Sequence, residues 1–180
     1  MSGKSKIIIP CRLAYVNCWK PISVFGAQRY SVVAIIKKSD KETIRRIREA
    51  INYIKEKSVD KWGGRVPENC HLPLRDGDIE KPDNPVFQQC YFINIKCKEQ
   101  PQIVDQNVQP IQDPMELYSG CYGKVSVIFY AYSCGGNKGI SALLGNIQKV
   151  KDGPRLSGRM SASEEFVPIT SAEREEADFV

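Results

Sequence analysis

Histidine is almost missing from this 180-residue chain: His71 is the only one. A hydrolytic relay needs a histidine between a nucleophile and an orienting group; His71 stands beside Cys70, but no third group can be assigned to it, so a structural role or none is expected. No CxxC pair occurs, and the seven cysteines (Cys11, Cys18, Cys70, Cys90, Cys97, Cys121, Cys134) are an odd number, which argues against both a disulfide framework and a structural zinc site. Several alternate with apolar residues, as small buried hydrophobes do. No apolar run approaches the roughly 18 residues that cross a bilayer. The opening MSGKSKIIIP is too short and too abruptly polar for a signal peptide, so a cytoplasmic protein with no membrane contact is expected. The stretch GGNKG lacks the spacing and the G-K-[ST] ending of a phosphate loop; Gly135, Gly136 and Gly139 read as a turn, with Lys138 available to a phosphate. Asp76, Asp78, Glu80 and Asp83 crowd LRDGDIEKPDNP without calcium-loop spacing and read as a solvated turn. No acid, base, nucleophile and metal set can be assembled, so no catalytic residue, metal or cofactor is expected.

What the chain does have is charge, divided unevenly. The formal net charge is +5, yet residues 164–180 carry six acids against one base, leaving 25 bases against 15 acids on residues 1–163. A basic body with an acidic end is expected of a polyanion binder whose tail has a separate task; the plainer alternative is a solvated end that aids solubility. Length and a 42% hydrophobic content suit one globular domain, 1–163, followed by an acidic flexible tail, 164–180.

Strands punctuated by turns dominate the body. CRLAYVNCW alternates and is expected to stop at Pro21, and RYSVVAIIKK is a β-branched run. In SDKETIRRIREAINYIKEK, Ser39 and Glu42 make an S-x-x-E capping box and Ile44, Ile47, Ile51 and Ile54 recur at helical spacing. Residues 61–89 read as irregular, with a short strand near Leu72–Leu74. QQCYFINIKCK and GKVSVIFYAYS are further strands, and NKGISALLGNIQKVKDG reads as a short strand or a helical closing segment. Five or so strands with a helix between the second and third imply a mainly β (α+β) fold. The leading candidate is an oligonucleotide-binding (OB) barrel with an inserted helix and long loops.

The two faces of each strand differ in chemistry. Val125, Val127, Phe129 and Ala131 fall on one side of their strand; Lys124, Ser126, Ile128, Tyr130 and Tyr132 fall on the other. In CYFINIKCK the split sets Tyr91, Ile93, Ile95 and Cys97 against Phe92, Asn94, Lys96 and Lys98. In RYSVVAIIKK it sets Arg29, Ser31 and Lys37, with Val33 and Ile35 sharing their side, against Tyr30, Val32, Ala34 and Ile36. Rings interleaved with cations suit single-stranded nucleic acid: bases stack on the rings while ammonium and guanidinium groups neutralise phosphates. The alternative is a second apolar layer holding Tyr130 and Tyr132 beneath the helix or the long loop.

LAYVNCWKP, YSVVAIIKKSD, PVFQQCYFINIKCKEQPQIVD, YSGCYGKVSVIFYAYSCGGNKGISALLGNIQKVKDG and the acidic end together resemble the single-stranded DNA-binding proteins of tailed bacteriophages and prophages. The resemblance implies an OB barrel that coats single-stranded DNA in phage replication, recombination or repair, in the bacterial host cytoplasm. Its YSGCY motif falls on Tyr118–Tyr122 and its FYAY motif on Phe129–Tyr132. With strand phase, this gives as expected DNA contacts Arg12, Trp19, Lys20, Arg29, Lys37, Lys38, Phe92, Lys96, Lys98, Tyr118, Tyr122, Lys124, Tyr130, Tyr132 and Lys138. The tail residues Glu175, Glu176, Asp178 and Phe179 are expected to engage a polymerase, helicase or recombinase. Two other readings stand beside coating: a strand-annealing or recombination mediator, which needs a homo-oligomer, and a protein-binding adaptor acting on host machinery.

Overall fold

The computed structural model describes residues 4–156 and 168–169. Seven strands form one sheet: β1 (Lys6–Val24), β2 (Ala27–Lys37), β3 (Arg75–Asp76), β4 (Cys90–Cys97), β5 (Ile103–Val104), β6 (Tyr122–Cys134) and β7 (Asn137–Lys151). The ladder runs β3-β4-β2-β1-β6-β7-β5, and a further parallel pairing of β4 with β7, Lys96 opposite Leu143, closes five of these strands into a barrel. Taken as barrel strands one to five, β1, β2, β4, β6 and β7 meet in the order 1-2-3-5-4-1, the partly open Greek-key closure of the OB fold.

β1 is longer than the alternation predicts, at 19 residues. It begins in the apolar Ile7–Ile9 run, pairs with β6 from Lys6 to Arg12, and then crosses to β2 from Arg12 to Val24. Pro21 does not end it, because the β1–β2 register slips between Asn17 and Ile22, where no ladder hydrogen bond is asked of the proline. A first irregularity lies between Ala14 and Asn17, where Tyr15 sits at a φ of 45°. The closing segment is neither short nor helical: β7 is a 15-residue strand paired with β6 from hairpin to root. Its Ile140, Ala142 and Leu144 alternate inward, and the register shift opposite Val125–Val127 brings Ile147 back to the core.

The inward faces fall as their patterns require. Val32, Ala34 and Ile36 of β2, Ile93 and Ile95 of β4, and Val125, Val127, Phe129 and Ala131 of β6 are all buried in one cluster. Helix α1 (Lys41–Lys57) joins that cluster through Ile44, Ile47, Ala50, Ile51 and Ile54. Its cap is not Ser39 but Asp40, whose side chain accepts from the Thr43 amide at 3.3 Å; Glu42 instead pairs with Arg45. Beyond α1, a 3-10 turn at Val59–Trp62 buries Trp62, whose indole N–H donates to the Tyr132 carbonyl at 3.0 Å and ties the long connection to β6. The short strand expected at Leu72–Leu74 is not formed there; β3 begins immediately after it, at Arg75, and a one-turn helix α2 (Gly77–Glu80) follows.

Candidate functional site

Two antiparallel ribbons extend past the barrel on one side. The β1–β2 ribbon ends in the turn Phe25-Gly26 and is exposed over most of Lys20–Gln28; the β6–β7 ribbon ends in Gly135-Gly136. Between them lies a groove of about 1050 Å³ that reaches Phe25 on one side and Cys134 and Asn137 on the other. Asn94 and Lys96 of β4, Tyr132 of β6 and Ser141 of β7 form its base, and the 70–80 segment forms a wall. That wall is held by backbone pairing: the His71 amide donates to the Lys138 carbonyl at 3.0 Å and the Ile140 amide to the His71 carbonyl at 2.8 Å. The approach is so close that a Cβ on Gly139 would lie 2.4 Å from the His71 oxygen. His71 thus builds the site through its main chain.

The acids of the wall are occupied internally. Glu80 pairs with Arg75 at 2.7 Å, and Asp76 and Asp78 both hold Lys38 at 2.7 Å. The hydrogen bond from Lys38 keeps both aspartate carboxyls below the ordinary carboxylate range. Asp78 also accepts from the Gln89 amide, so Asp76 and Asp78 of LRDGDIEKPDNP form a loop clamp with Lys38. Lys96 remains as the cation on the groove base, and an adjoining hollow of about 770 Å³ adds Arg65 and Lys138 beside Trp62. Burial, with Cys70 and Tyr130 nearby, holds the Tyr132 phenol above its usual value. Tyr130 lies on the same outward face as Tyr132, opposite Ser141, and is 42% exposed. The floor and its border therefore offer the rings of Tyr132 and Tyr130, an ammonium group and neutral hydrogen-bonding side chains, the set that accepts stacked bases and a phosphate chain.

The residues expected to form one surface divide into several groups. Lys96, Tyr132 and Lys138 line the groove or its adjoining hollow, Tyr130 borders it, and Lys20 and Arg29 lie on the β1–β2 ribbon. Lys37, Lys98 and Lys124 are exposed outside it. Lys38 is committed to the loop clamp. Phe92 must be corrected: it is 2% exposed, in a second apolar cluster with Ala14, Ile35, Phe87 and Cys90, and offers no face for stacking. The period-2 reading placed it outward correctly, but the 77–90 segment covers that part of the sheet. Trp19 is half-buried against the core, its indole N–H donating to the Leu117 carbonyl at 3.0 Å. Tyr118 and Tyr122 stand at the far end of β6, roughly 33 Å of strand from Tyr132 for the ten residues between Tyr122 and Tyr132. There Arg12 and Lys151 lie over the Tyr122 ring at 5.4 and 4.9 Å, and Arg155 and Lys149 over Tyr118 at 4.2 and 5.8 Å. The Tyr118 hydroxyl donates to the Gly153 carbonyl, and Arg12 donates to the carbonyls of Gly120 and Pro154. The YSGCY motif is thus a clasp on the segment that follows β7. Glu175, Glu176, Asp178 and Phe179 lie outside the described residues.

The family described as Enterobacter phage Enc34, ssDNA-binding protein, matches residues 5–180. The chain belongs to that family. A relative of the same extent, protein p50 of Acyrthosiphon pisum secondary endosymbiont phage 1, is 34% identical over 179 residues, covering 92% of this chain and 94% of the relative. Among solved structures, the single-stranded DNA-binding protein from bacteriophage Enc34 in complex with ssDNA superposes with a TM-score of 0.76 at 22% identity, over 86% of this chain and 91% of that one. The single-stranded DNA-binding protein gp2.5 of bacteriophage T7 gives 0.59 at 17% identity, over 90% and 96%. These likenesses establish the OB fold.

With the family in view, two exposed aromatic residues stand out that the sequence reading passed over. Tyr15 is half exposed at the β1 bulge and stacks on Phe87 at 6.4 Å, with the Lys81 ammonium over it at 5.9 Å. Phe25 is fully exposed at the ribbon tip. Strand alternation does not find either, since one sits at a bulge and the other in a turn. A large apolar residue directly before the turn glycine in SVFGAQ was the available signal for the second.

Proposed function

We propose that this protein binds single-stranded DNA without sequence preference in the groove between the two ribbons and coats it during phage replication, recombination and repair. The observation that carries this is the joint placement of Tyr132, Lys96 and Asn94 on the floor of an open groove across β4, β6 and β7 of a closed OB barrel. The face of the second and third barrel strands and the loops 1–2 and 4–5 are where this fold accepts oligonucleotides, and here those parts are β2, β4 and the two ribbon turns. Membership of the ssDNA-binding family and the DNA complex of the Enc34 protein point the same way. Rings on the floor stack on bases, while Lys96, Lys138, Lys20 and Arg29 track phosphates along the path. The protein acts by binding rather than by catalysis, in the host cytoplasm.

The body, 1–163, holds the DNA site, and the acidic residues 164–180 compete with phosphate for it and recruit a replication partner through Phe179. Supporting this is the charge division itself, six acids against one base on 164–180 beside a body with 25 bases against 15 acids. The test is titration of a fluorescent oligo-dT of about 30 nucleotides at two salt concentrations, with matching duplex as competitor. Tight, salt-weakened binding that duplex barely competes is expected. Equal competition by duplex would reject the reading and favour the adaptor alternative. Mixing complementary coated strands separates coating from annealing.

A further inference from the structure

The turn that joins β1 to β2 is built against its own residue type. Val24 pairs with Ala27, leaving Phe25 and Gly26 as a two-residue loop, and both have positive φ, 49° and 80°. Such turns take Asn-Gly, Asp-Gly or Gly-Gly, because the first position must enter the left-handed region and a bulky side chain pays there in strain. Gly26 fits the rule. Phe25 breaks it, and gains nothing from burial in return: its side chain is 103% exposed. Local propensity and core packing, the two ordinary reasons to keep a phenylalanine, are both absent. Its position supplies a third. The ring stands at the rim of the groove whose floor holds Lys96, Asn94 and Tyr132, at the tip of a ribbon that also carries Lys20 and Arg29.

We infer that Phe25 is a base-stacking wedge that engages the first unpaired base at a junction between single- and double-stranded DNA, so that the protein opens duplex ends as well as coating free strand. This rests on the single-strand reading given above. A strand lying along the groove floor leaves past the ribbon tip, where a planar apolar ring that no described residue covers can cap the stack. Apolar side chains that enter base steps act in this way, replacing a base–base contact by a base–ring contact. The cations on the same ribbon hold the adjoining phosphates, so the ring is presented at the strand and not at free solvent. A ring stacked only on unpaired bases favours the open junction over the closed one. Its effect therefore differs in kind from that of the groove floor, which binds strand already free.

The test uses the full chain and four forms: wild type, Phe25→Ala, Phe25→Trp and Phe25→Asn. One substrate is oligo-dT of about 30 nucleotides; the other is a short hairpin with a dT overhang and 2-aminopurine at the junction base. Wild type should raise or shift the 2-aminopurine signal and lower the hairpin's melting temperature. Phe25→Ala should lose both effects, with junction affinity down about five- to hundredfold, the range one stacked base commands, and a smaller loss on oligo-dT. Phe25→Trp should retain them, its indole emission quenched by the junction. Phe25→Asn, the better turn residue, should fold at least as stably as wild type and still lose the junction effect. If wild type binds oligo-dT but Phe25→Ala matches it at the junction, the wedge is wrong while the coating function stands. If wild type fails to prefer single strand at all, both fall. If Phe25→Ala changes the sedimentation of free protein and nothing at the junction, the ring is a contact between copies and the wedge is overturned.

Discussion

Replacing Phe92 with alanine separates a ring that holds the fold from a ring that holds DNA. Strand phase alone sets Phe92 on the outer, cationic face with Lys96, yet the structure buries it to 2% beneath the 77–90 segment. Its ring meets Phe87 edge-to-face, centroids 5.2 Å apart and planes at 79°, with Lys81 lying over both at 5.6 and 5.1 Å. Removing a buried phenylalanine from water contact is worth about 1.5–3 kcal/mol, and the aromatic pair adds about 0.5–1.5 kcal/mol. With the cavity left behind, the total should reach about 3–5 kcal/mol. For a domain of this size that corresponds to a melting temperature lower by roughly 10 °C. Urea unfolding followed by far-ultraviolet circular dichroism measures the loss, and Phe92→Leu should recover most of it because volume is largely kept. Oligo-dT affinity, measured well below the variant's transition, should stay within about twofold of wild type, since neither ring face reaches the groove. A stability change under about 1 kcal/mol together with a tenfold loss of affinity would refute the burial argument, since only an exposed ring behaves that way.

Tyr132→Ala should weaken oligo-dT binding by about 1–3 kcal/mol, whereas Tyr118→Phe, which cuts the hydroxyl contacts to Gly153 and Asp152, should leave affinity unchanged and lower thermal stability. Lys96→Ala should shallow the slope of log affinity against log salt by about 0.7, the share of one phosphate on single-stranded DNA, in titrations at several salt concentrations. With a thiol reagent at pH 8, exposed Cys134 should react first and be protected by oligo-dT, because it borders the groove. Cys18, fully buried and with its thiol pushed up to about 12 chiefly by that burial and then by Cys97, should react only on unfolding. Asp76 and Asp78 have folded-state values below their unfolded ones, so the loop clamp stabilises the protein above about pH 4 and is lost as pH falls through the lowered values. Lys38→Met should therefore flatten the acid limb of a stability-against-pH curve, and an unchanged limb would mean the clamp is idle.

The barrel core was legible because period-2 alternation needs no partner information: Val125, Val127, Phe129 and Ala131 face inward whatever they pair with. The apolar stripe of α1 was readable for the same reason, while its cap was missed by one residue because Ser39 and Asp40 both qualify chemically and only backbone geometry chooses between them. Alternation failed where the chain leaves the pleat. It put Phe92 on the outside correctly but could not show that a distant loop covers that outside, and it could not follow β1 through the slip near Pro21. For the candidate site, phase puts Lys96 and Tyr132 on outward faces that line the groove, whereas Tyr118 and Tyr122, grouped with them by motif, lie at the opposite end of the strand. Phe25 was invisible to a reading based on strands, since its meaning comes from a turn conformation.

The pairing of Lys96 with Leu143 is the one register pair that joins β4 to β7, whereas β6 and β7 are laced from hairpin to root. The barrel is a hoop with a weak clasp. Amide hydrogens along that seam should exchange sooner than those of β6, because fewer bonds must break to expose them. The groove lies over this clasp, its base formed by Lys96 on the β4 side of the seam and Ser141 on the β7 side. A strand of DNA laid across it would act as a second set of stitches, so that the protein is most firmly closed when it is carrying its cargo.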